Sequence, residues 1–378
     1  MTTLSQIDTP AALVDRGRMQ ANIERMQRRM DALGVSFRPH VKTSKCLPVV
    51  RAQVDAGAQG ITVSTLKEAE QFFAAGIVDI LYAVGVTPGK LAKVRALRRQ
   101  GCQLKIITDN PISAAAIVAF GWEHGEVFEV WIEIDCDGHR SGIKPDDSAA
   151  LLAVARVLEA GGMVLGGVLT HAGSSYELDT PQALEAMAEQ ERSGCVRAAQ
   201  CLRAAGIACP GVSVGSTPTS LSAKNLDGVS EVRAGVYVFF DLVMHNVGVC
   251  RIDDIALSVL TTVIGHQVEK GWAIVDAGWM AMSRDRGTSK QKRDFGFGLV
   301  CTVDGTVLPG YVMSGANQEH GIVSCEGTVD SAIATRFPVG TQLRLLPNHA
   351  CATGAQFPKY YALGDGPQID VWERFYGW

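Results

Sequence analysis

Apolar and polar positions follow two different periods over the first two thirds of the chain. Residues 19–33 place apolar side chains three or four positions apart, which is the spacing of one helix face: Met19, Ile23, Met26, Met30 and Leu33. Stretches rich in Ala and Leu with charged outer faces, at 65–75, 147–160 and 181–205, predict further helices.

Short apolar runs lie between these helices and have the length and composition of strands. They are residues 36–42, 60–63, 79–84, 103–108, 127–135, 163–170, 211–215 and 231–240. Pro39 weakens the prediction for the first run, because proline cannot donate a hydrogen bond to a neighbouring strand.

Strands that alternate with helices predict parallel βαβ units with both faces of the sheet covered. Eight strands in about 210 residues match the size of a (β/α)₈ TIM barrel. A doubly wound sheet would show the same alternation, so it remains the alternative from the pattern alone.

The pattern changes after residue 250. Runs of β-branched residues are broken by glycines, with Asp-Gly at 304–305, and no helical period is visible. This texture predicts an antiparallel β domain. We therefore predict a barrel domain over 9–247 and a β domain over 248–378, to which we also assign residues 1–8.

Composition narrows the function classes for this chain of 378 residues. Its net charge of −4 argues against binding nucleic acid. No run of 18 apolar residues predicts a membrane span, and the N-terminus lacks the basic and apolar regions of a secretory signal. The ten cysteines have no disulfide-framework spacing, so we expect reduced thiols and a cytoplasmic protein.

The first predicted strand carries three basic residues, Arg38, His40 and Lys42, on one face. Three such side chains converging inward would repel one another without an anionic partner or a modified lysine. The alternative is that the strand frays into a solvated loop and Lys42 meets water. Lys45 lies beyond the strand and needs no special role.

The seventh strand leads into Gly215, Ser216 and Thr217, followed by a helix start. A glycine that permits close backbone approach, a capping Thr217 and free N–H groups form a candidate phosphate cradle. Gly235 and Tyr237, in the eighth strand, arrive where barrels commonly bind phosphate. Many helices begin with small residues, so the motif is weak by itself.

Two other strand ends carry polar residues. Arg140 follows the fifth strand, where it is a candidate anion contact or merely solvated, and His171 follows the sixth, where it is a candidate site residue or a buried core histidine. In a strand, His349 and Cys351 would point to the same side and could share a divalent ion such as zinc. Most such pairs bind no metal, and the role of residues 318–320 is unresolved.

These motifs, taken in order, resemble the fold-type III pyridoxal-phosphate enzymes, in the branch of the D-serine dehydratases and D-threonine aldolases. The resemblance covers nearly the whole chain, and its specific parts are the RPHxK box and the terminal HxC pair. The matching segments are ThrPro (9–10), RPHVKTSK (38–45), CDGHRSG (136–142), THAGSSY (170–176), VGSTPT (214–219), EVRAGVY (231–237), EHG (319–321) and PNHAC (347–351).

The resemblance implies an alanine-racemase-like (β/α)₈ TIM barrel followed by a C-terminal antiparallel β domain, in homodimers that build each site from both chains. Lys42 matches the lysine that forms the Schiff base, and Arg140 matches the contact to the phenolate oxygen. His171 matches the ring-stacking histidine, and Tyr176 lies near the pyridine nitrogen. The phosphate would be held by Gly215, Ser216, Thr217, Gly235 and Tyr237.

The same resemblance makes His349 and Cys351 the metal pair, with zinc expected and manganese, cobalt or magnesium as alternatives. It implies a dehydratase of D-configured β-hydroxy amino acids, which converts D-threo-3-hydroxyaspartate to oxaloacetate and ammonia, or D-serine to pyruvate and ammonia. D-threonine aldolase, which yields glycine and acetaldehyde, is the alternative. His-x-Cys favours the dehydratases, because many aldolases of the branch carry His-x-Asp.

Three further questions remain open from the sequence. Residues 283–286 could supply a cation for a second substrate carboxylate, or could form a solvated loop. A racemase would need a second base such as Tyr311, and the HxC pair has no role in that reaction. Single-barrel pyridoxal-phosphate-binding proteins of the superfamily lack the second domain predicted here.

Overall fold

The computed structural model describes residues 4–364, 366 and 368–377, and these form two compact units. One unit holds the described residues up to Ile23 together with Val236–Arg374, and the other holds Glu24–Gly235 and the residues from Phe375 onward. Our division into functional domains at residue 247 stays a prediction. Of residues 1–8, which we assigned to the β domain, residues 1–3 lie outside the described part.

The strands of the described part are numbered β1 to β17 in chain order. They are Ala11–Asp15, Ser36–Phe37, Ile61–Val63, Asp79–Gly85, Gln103–Thr108, Glu129–Ile134, Val164–Thr170, Gly211–Val214, Glu231–Val232, Leu257–Gln267, Trp272–Val275, Gly298–Thr302, Val307–Ala316, Gly321–Cys325, Gln342–Pro347, Lys359–Leu363 and Ile369–Glu373.

The α-helices of the same part are numbered α1 to α12. They are Arg16–Ala32, Leu47–Asp55, Leu66–Ala74, Leu91–Arg99, Pro111–His124, Ser148–Ala160, Pro181–Ala204, Thr217–Ser222, Leu242–Val247, Trp279–Met282, Ile333–Arg336 and Ala350–Gly354. Among them, none combines the length and the apolar character needed to cross a bilayer.

The unit of residues 24–235 is built on eight parallel strands, β2 to β9, in the order β2-β9-β8-β7-β6-β5-β4-β3. The two end strands are joined by a short bridge, in which the Thr62 N–H donates to Pro39 O (2.8 Å) and the Val41 N–H donates to Thr62 O (2.9 Å). The consecutive order excludes the doubly wound alternative, in which the strand order reverses. The predicted (β/α)₈ barrel is confirmed.

Two of the predicted strands are much shorter than their apolar runs. The run 36–42 forms a regular strand only at Ser36–Phe37, although backbone pairing continues past Pro39 to the bridge at His40, after which the chain turns. The prediction that Lys42 lies in a strand was therefore wrong, and Lys42 lies in a turn. The run 231–240 forms a strand only at Glu231–Val232.

Several helices of this unit begin at a polar cap, as the sequence pattern requires. Thr65 accepts a hydrogen bond from the Glu68 N–H (3.0 Å), and Asn110 accepts one from the Ser113 N–H (2.9 Å). Thr180 caps α7 in the same way, directly before a proline. These side chains satisfy N–H groups that the first turn leaves without partners.

The barrel interior has a charged layer beneath an apolar one. Arg38, which is 5% exposed, donates to Glu231 (2.6 Å) and to both carboxylate oxygens of Asp79 (2.8 and 3.0 Å). Lys105 also pairs with Asp79, at 2.6 Å. Leu81 and Ile107 lie two residues further along the same strand faces, in an apolar cluster with Trp131 and Leu169.

The second unit contains one sheet in the order β11-β14-β13-β12-β15-β10-β1-β16-β17, and β11 also pairs with β10. That extra pairing closes six strands into a barrel-like ring. The pairs are antiparallel, as predicted, except that β1 runs parallel to β16. The exception arises because β1 comes from the N-terminal segment, which we had placed with the parallel barrel.

Replacing Arg38 with methionine should destabilise the protein strongly. The substitution leaves the carboxylates of Glu231 and Asp79 without their main cation in a buried layer, and breaking a buried ion pair costs about 3–5 kcal/mol. The measurement is the free energy of unfolding in guanidinium chloride.

The control is Arg28→Met, which removes an exposed pair with Glu24 (3.4 Å). Exposed pairs contribute at most about 1 kcal/mol. If both variants lost the same free energy of unfolding, the Arg38 cluster would contribute no more stability than an exposed ion pair.

Candidate active site

Two lysines follow the barrel-closing bridge, and their amines have different surroundings. The Lys45 ammonium lies 3.1 Å from the carboxylate of Glu68, which is 1% exposed. Lys42 is exposed, and among the described residues its amine has no ion pair or hydrogen bond. A buried carboxylate therefore holds Lys45, whereas the Lys42 amine is available to react.

His171 lies at the end of β7 with a fixed ring. Its Nδ1–H donates to Gly215 O (2.9 Å), and the Tyr176 ring lies 6.1 Å away, centroid to centroid. Burial, with a smaller contribution from the positive charges of Arg140 and Lys42, lowers the pKa of His171 to about 3 against the opposing hydrogen bond to Gly215. The ring is therefore neutral.

Arg140 lies in the loop after β6, with its side chain 51% exposed and 4.0 Å from the Glu133 carboxylate. Asp135 shapes that loop by accepting hydrogen bonds from the N–H groups of Gly138 and His139. Because the Glu133 carboxylate is at the limit of ion-pair distance, the guanidinium can still contact an anionic oxygen.

The loop after β8 forms a tight cradle. A Cβ on Gly215, whose φ is +131°, would lie 2.2 Å from the Arg233 carbonyl oxygen, so only glycine fits there. We predicted Thr217 as the cap of α8, but Ser216 is the cap: it accepts from the Thr219 N–H (3.2 Å) and exchanges a reciprocal bond with Thr219. Thr217 is instead the first helical residue.

Gly235 and Tyr237 lie in different compact units. A Cβ on Gly235 would lie 2.9 Å from the His40 carbonyl oxygen, so this glycine lets the backbone pass close to the bridge. Tyr237 is buried within the unit of residues 236–374.

Sequence reasoning missed two buried charges beneath the cradle, Glu191 and Arg233. Glu191 accepts from the Ala172 N–H (2.8 Å), and burial raises its pKa to about 7. Arg233 donates to Ser213 Oγ (2.5 Å) and to Thr170 O (2.6 Å). Glu191 could have been found, because it continues the helical spacing of apolar residues on the buried face of α7.

These features fit pyridoxal phosphate. The loop before α8 lets a phosphate approach the backbone at Gly215, and the neutral His171 ring offers a flat face. Arg140 offers a cation, and Lys42 offers an amine that no carboxylate holds. The predicted residues Lys42, Arg140, His171, Tyr176, Gly215, Ser216, Thr217 and Gly235 all belong to the unit of residues 24–235.

His349 and Cys351 do not lie in a strand, as we had predicted. His349 caps α12 with extended backbone (φ −137°, ψ 106°), and Cys351 lies in the first turn of that helix. Burial disfavours the charged imidazole, but Cys351, Asp285 and Asp241 raise the pKa of His349 to about 11. The Cys351 side chain lies close enough to that imidazole to raise its pKa, so the predicted pair is together.

Imidazole and thiolate are ligands that zinc prefers. Within the described residues, no group of three or more His, Cys, Asp or Glu side chains could hold a metal. The imidazole of His349 and the thiol of Cys351 are the two side chains here whose chemistry fits a divalent ion.

The remaining sequence candidates have other surroundings. Arg284 stacks on Trp279 (4.9 Å), and Arg286 donates to Asp294 (2.6 Å). In the turn between β13 and β14, Gln318 donates to Glu319. The structure assigns residues 318–320 no further role.

Glu191 should make stability depend on pH. Its pKa of about 7 in the folded protein exceeds the ordinary 4.5, so the folded state binds the proton more tightly. The resulting stability is complete below pH 4.5 and is lost as the pH rises through 7. In the wild type, the free energy of unfolding should fall by roughly 3 kcal/mol between pH 5 and 8 from this group, and in Glu191→Gln this fall should be absent.

Glu189→Gln is the control, because Glu189 is exposed on the same helix and the Arg192 hydrogen bonds lower its pKa. Glu189 is ionised across that pH range, so replacing it should leave the pH dependence of the unfolding free energy unchanged. A Glu191→Gln protein with the wild-type slope would contradict this assignment.

Two family models match the chain. Residues 14–243 match the alanine racemase N-terminal domain, and residues 256–363 match a putative serine dehydratase domain.

Known relatives cover almost the full chain. D-threo-3-hydroxyaspartate dehydratase from Delftia sp. strain HT23 is 68% identical over 377 residues, which are 100% of this chain and 99% of that protein. Its solved structure has a TM-score of 0.99 and covers 100% of both chains. A solved cysteine-to-alanine mutant of D-threo-3-hydroxyaspartate dehydratase, in a metal-free form, is 67% identical with the same coverage and TM-score.

More distant relatives extend the comparison. D-serine dehydratase from Dictyostelium discoideum is 29% identical over 388 residues, with 97% of this chain and 96% of that protein covered. D-threonine aldolase from Arthrobacter sp. is 28% identical over 376 residues, with 98% and 93% covered. The chain therefore belongs to the fold-type III pyridoxal-phosphate family, in the branch of the D-serine dehydratases and D-threonine aldolases.

Proposed function

We propose that the chain is a dehydratase that converts D-threo-3-hydroxyaspartate to oxaloacetate and ammonia, with D-serine as a second substrate that yields pyruvate and ammonia. The observation that carries the proposal is the adjacent His349 and Cys351 pair in a chain 68% identical, over its full length, to a dehydratase of that substrate. The substrate is inferred from the relative, and the type of reaction is inferred from the residues of this chain.

The residues for the cofactor each have a distinct task. When bound, pyridoxal phosphate supplies the electron sink that chemistry at the α-carbon requires. The Lys42 amine, which no carboxylate holds, would bind the cofactor and then take the Cα proton. The neutral His171 ring would face the cofactor ring, and Arg140 would contact the phenolate oxygen.

The other cofactor contacts fix orientation. The loop that enters α8 would hold the phosphate, with Ser216 and Thr217 as polar contacts and Gly215 and Gly235 as the close-approach positions. The family resemblance assigns Tyr237 to the phosphate and Tyr176 to the pyridine nitrogen.

His349 and Cys351 hold a divalent ion in this proposal. When bound, the metal supplies a Lewis acid that makes the β-hydroxyl a better leaving group. A thiolate ligand favours zinc over manganese, cobalt or magnesium. The metal-free form of the cysteine-to-alanine mutant of the 67% identical dehydratase supports a role of the cysteine in metal binding.

The surroundings of Tyr311 disfavour a racemase. Its hydroxyl donates to Asp330 (2.5 Å), and burial together with that carboxylate raises the pKa of Tyr311 to about 12. A phenol held in this way is a poor second base, so the hydroxyl-eliminating reaction is the better fit.

Product identification tests the proposal. Purified protein with pyridoxal phosphate and zinc is incubated with D-threo-3-hydroxyaspartate, D-serine and D-threonine in parallel, and ammonia with 2-oxo acid is scored against glycine with aldehyde. We expect oxaloacetate and ammonia from the first substrate at the highest rate. Glycine with glyoxylate or acetaldehyde would instead make the protein an aldolase.

Two lysine variants control that assay. Lys42→Ala should lose product formation and the visible absorbance of the bound cofactor, with a loss of at least about 10³-fold in kcat, because the amine that moves the proton is gone. Lys45→Gln should keep both, since Glu68 retains hydrogen bonds from the Ser64 N–H and the Thr65 hydroxyl. The reverse result would mean that the lysines are wrongly assigned.

We further infer that the working form is a homodimer in the cytoplasm. The family resemblance supports the dimer, and ten cysteines without disulfide-framework spacing support a reducing compartment. Light scattering should give about twice the chain mass of 40.3 kDa, and cell fractionation should recover the protein with soluble markers. A 40.3 kDa particle that retains activity would contradict the dimer.

A further inference from the structure

A carboxylate that the sequence did not single out as a site residue holds the ring of His349. Asp285 Oδ2 accepts a hydrogen bond from His349 Nδ1 at 2.6 Å, across 64 residues of chain. The Asp285 side chain is 38% exposed, so solvent reaches one side of the pair. Nδ1 must carry the proton in this contact, because a carboxylate only accepts.

The chain segment that carries Asp285 is itself tied to the ligand segment. Asn348, which precedes the histidine, donates to Gly296 O (2.7 Å) and accepts from the Thr288 hydroxyl (3.0 Å). Its amide also approaches Asp285 O (3.4 Å). Asp285 is therefore held through its carboxylate by His349 and through its backbone carbonyl by Asn348.

The backbone before Asp285 also has a defined turn. Ser283 follows helix α10 with φ +69°, a conformation that residues with a Cβ seldom adopt. The Ser283 hydroxyl accepts from the Asp285 N–H (3.1 Å), and the Thr353 hydroxyl of α12 donates to Met282 O (2.8 Å). These contacts hold the end of α10 against the helix that carries Cys351.

We propose that Asp285 is the positioning residue of the metal pair: it holds the His349 ring with Nδ1 protonated, so that Nε2 is the ligand nitrogen on the side of Cys351. The inference rests on the proposed metal site of His349 and Cys351. A carboxylate that orients a metal-binding imidazole fixes its tautomer and raises its basicity, and loss of such a partner costs 10- to 100-fold in metal affinity.

The other nearby carboxylate has a different role. Asp241 accepts from the Ala350 and Met244 N–H groups, both at 2.9 Å. Its oxygens thus hold the start of α12 and the first turn of α9. Asp285 is the carboxylate that contacts the imidazole itself.

The test is the zinc affinity of Asp285→Asn, measured on the cofactor-loaded, metal-stripped protein by competition with a chelating dye. We expect the dissociation constant to rise 10- to 100-fold, because asparagine keeps the shape but not the charge, and can present its NH₂ to the ring. Cobalt provides a second readout, since its thiolate charge-transfer band should persist through Cys351 at saturating metal.

Asp294→Asn is the matched control. It removes the same charge from the same segment, where Asp294 pairs with Arg286 (2.6 Å) and does not bond to the imidazole. We expect less than a threefold change for Asp294→Asn and partial recovery of zinc affinity for Asp285→Glu. If Asp285→Asn fails to fold, by circular dichroism, the Asp285→Glu and Asp294→Asn pair decides the proposal.

The outcomes separate this inference from the proposed function. Equal weakening by Asp285→Asn and Asp294→Asn, or wild-type affinity of Asp285→Asn, would overturn the role of Asp285 while leaving the metal pair intact. Wild-type zinc affinity of His349→Ala would instead remove the metal site on which the inference rests. Weakening confined to Asp285→Asn, in a protein whose His349→Ala variant loses zinc, would establish it.

Discussion

The bridge at Thr62 closes the parallel barrel, and the candidate cofactor site depends on it. Thr62 exchanges two backbone hydrogen bonds with Pro39 and Val41, so the first and second strands of the barrel meet there. The chain turns directly after this bridge, and the Lys45 N–H returns to Val41 O (2.9 Å). This turn places Lys42 beyond the sheet. The same constraint that closes the fold therefore exposes the reactive amine.

Charge compensation differs with depth in the barrel. At the floor of the barrel, Arg38 pairs with the carboxylates of Glu231 and Asp79. Arg233 is bound instead by the neutral oxygens of Ser213 and Thr170. Within the described residues, Lys42 has no anionic partner at the rim. The site is thus neutralised at the bottom and keeps positive charge at the top, which favours an anionic ligand such as a phosphate.

Elements whose side chains repeat with a regular period could be predicted closely. The predicted helix 181–205 is Pro181–Ala204, and the predicted strand 103–108 is unchanged. The segment 36–42 was predicted less closely, because its alternating pattern continues to Lys42 although the chain turns after the bridge at His40.

For the metal pair, the sequence predicted the right residues, His349 and Cys351, but placed them in a strand instead of at the start of a helix. Side chains two residues apart share a side in a strand but not within a helix. His349 and Cys351 meet because His349 keeps extended backbone as the cap of α12, while the helix begins at the next residue. The Asp241 carboxylate fixes that change of conformation by accepting the Ala350 N–H, and Asp285 fixes the ring from the far side. These carboxylates lie 109 and 64 residues away in sequence, so local spacing could suggest the pair but not what holds it together.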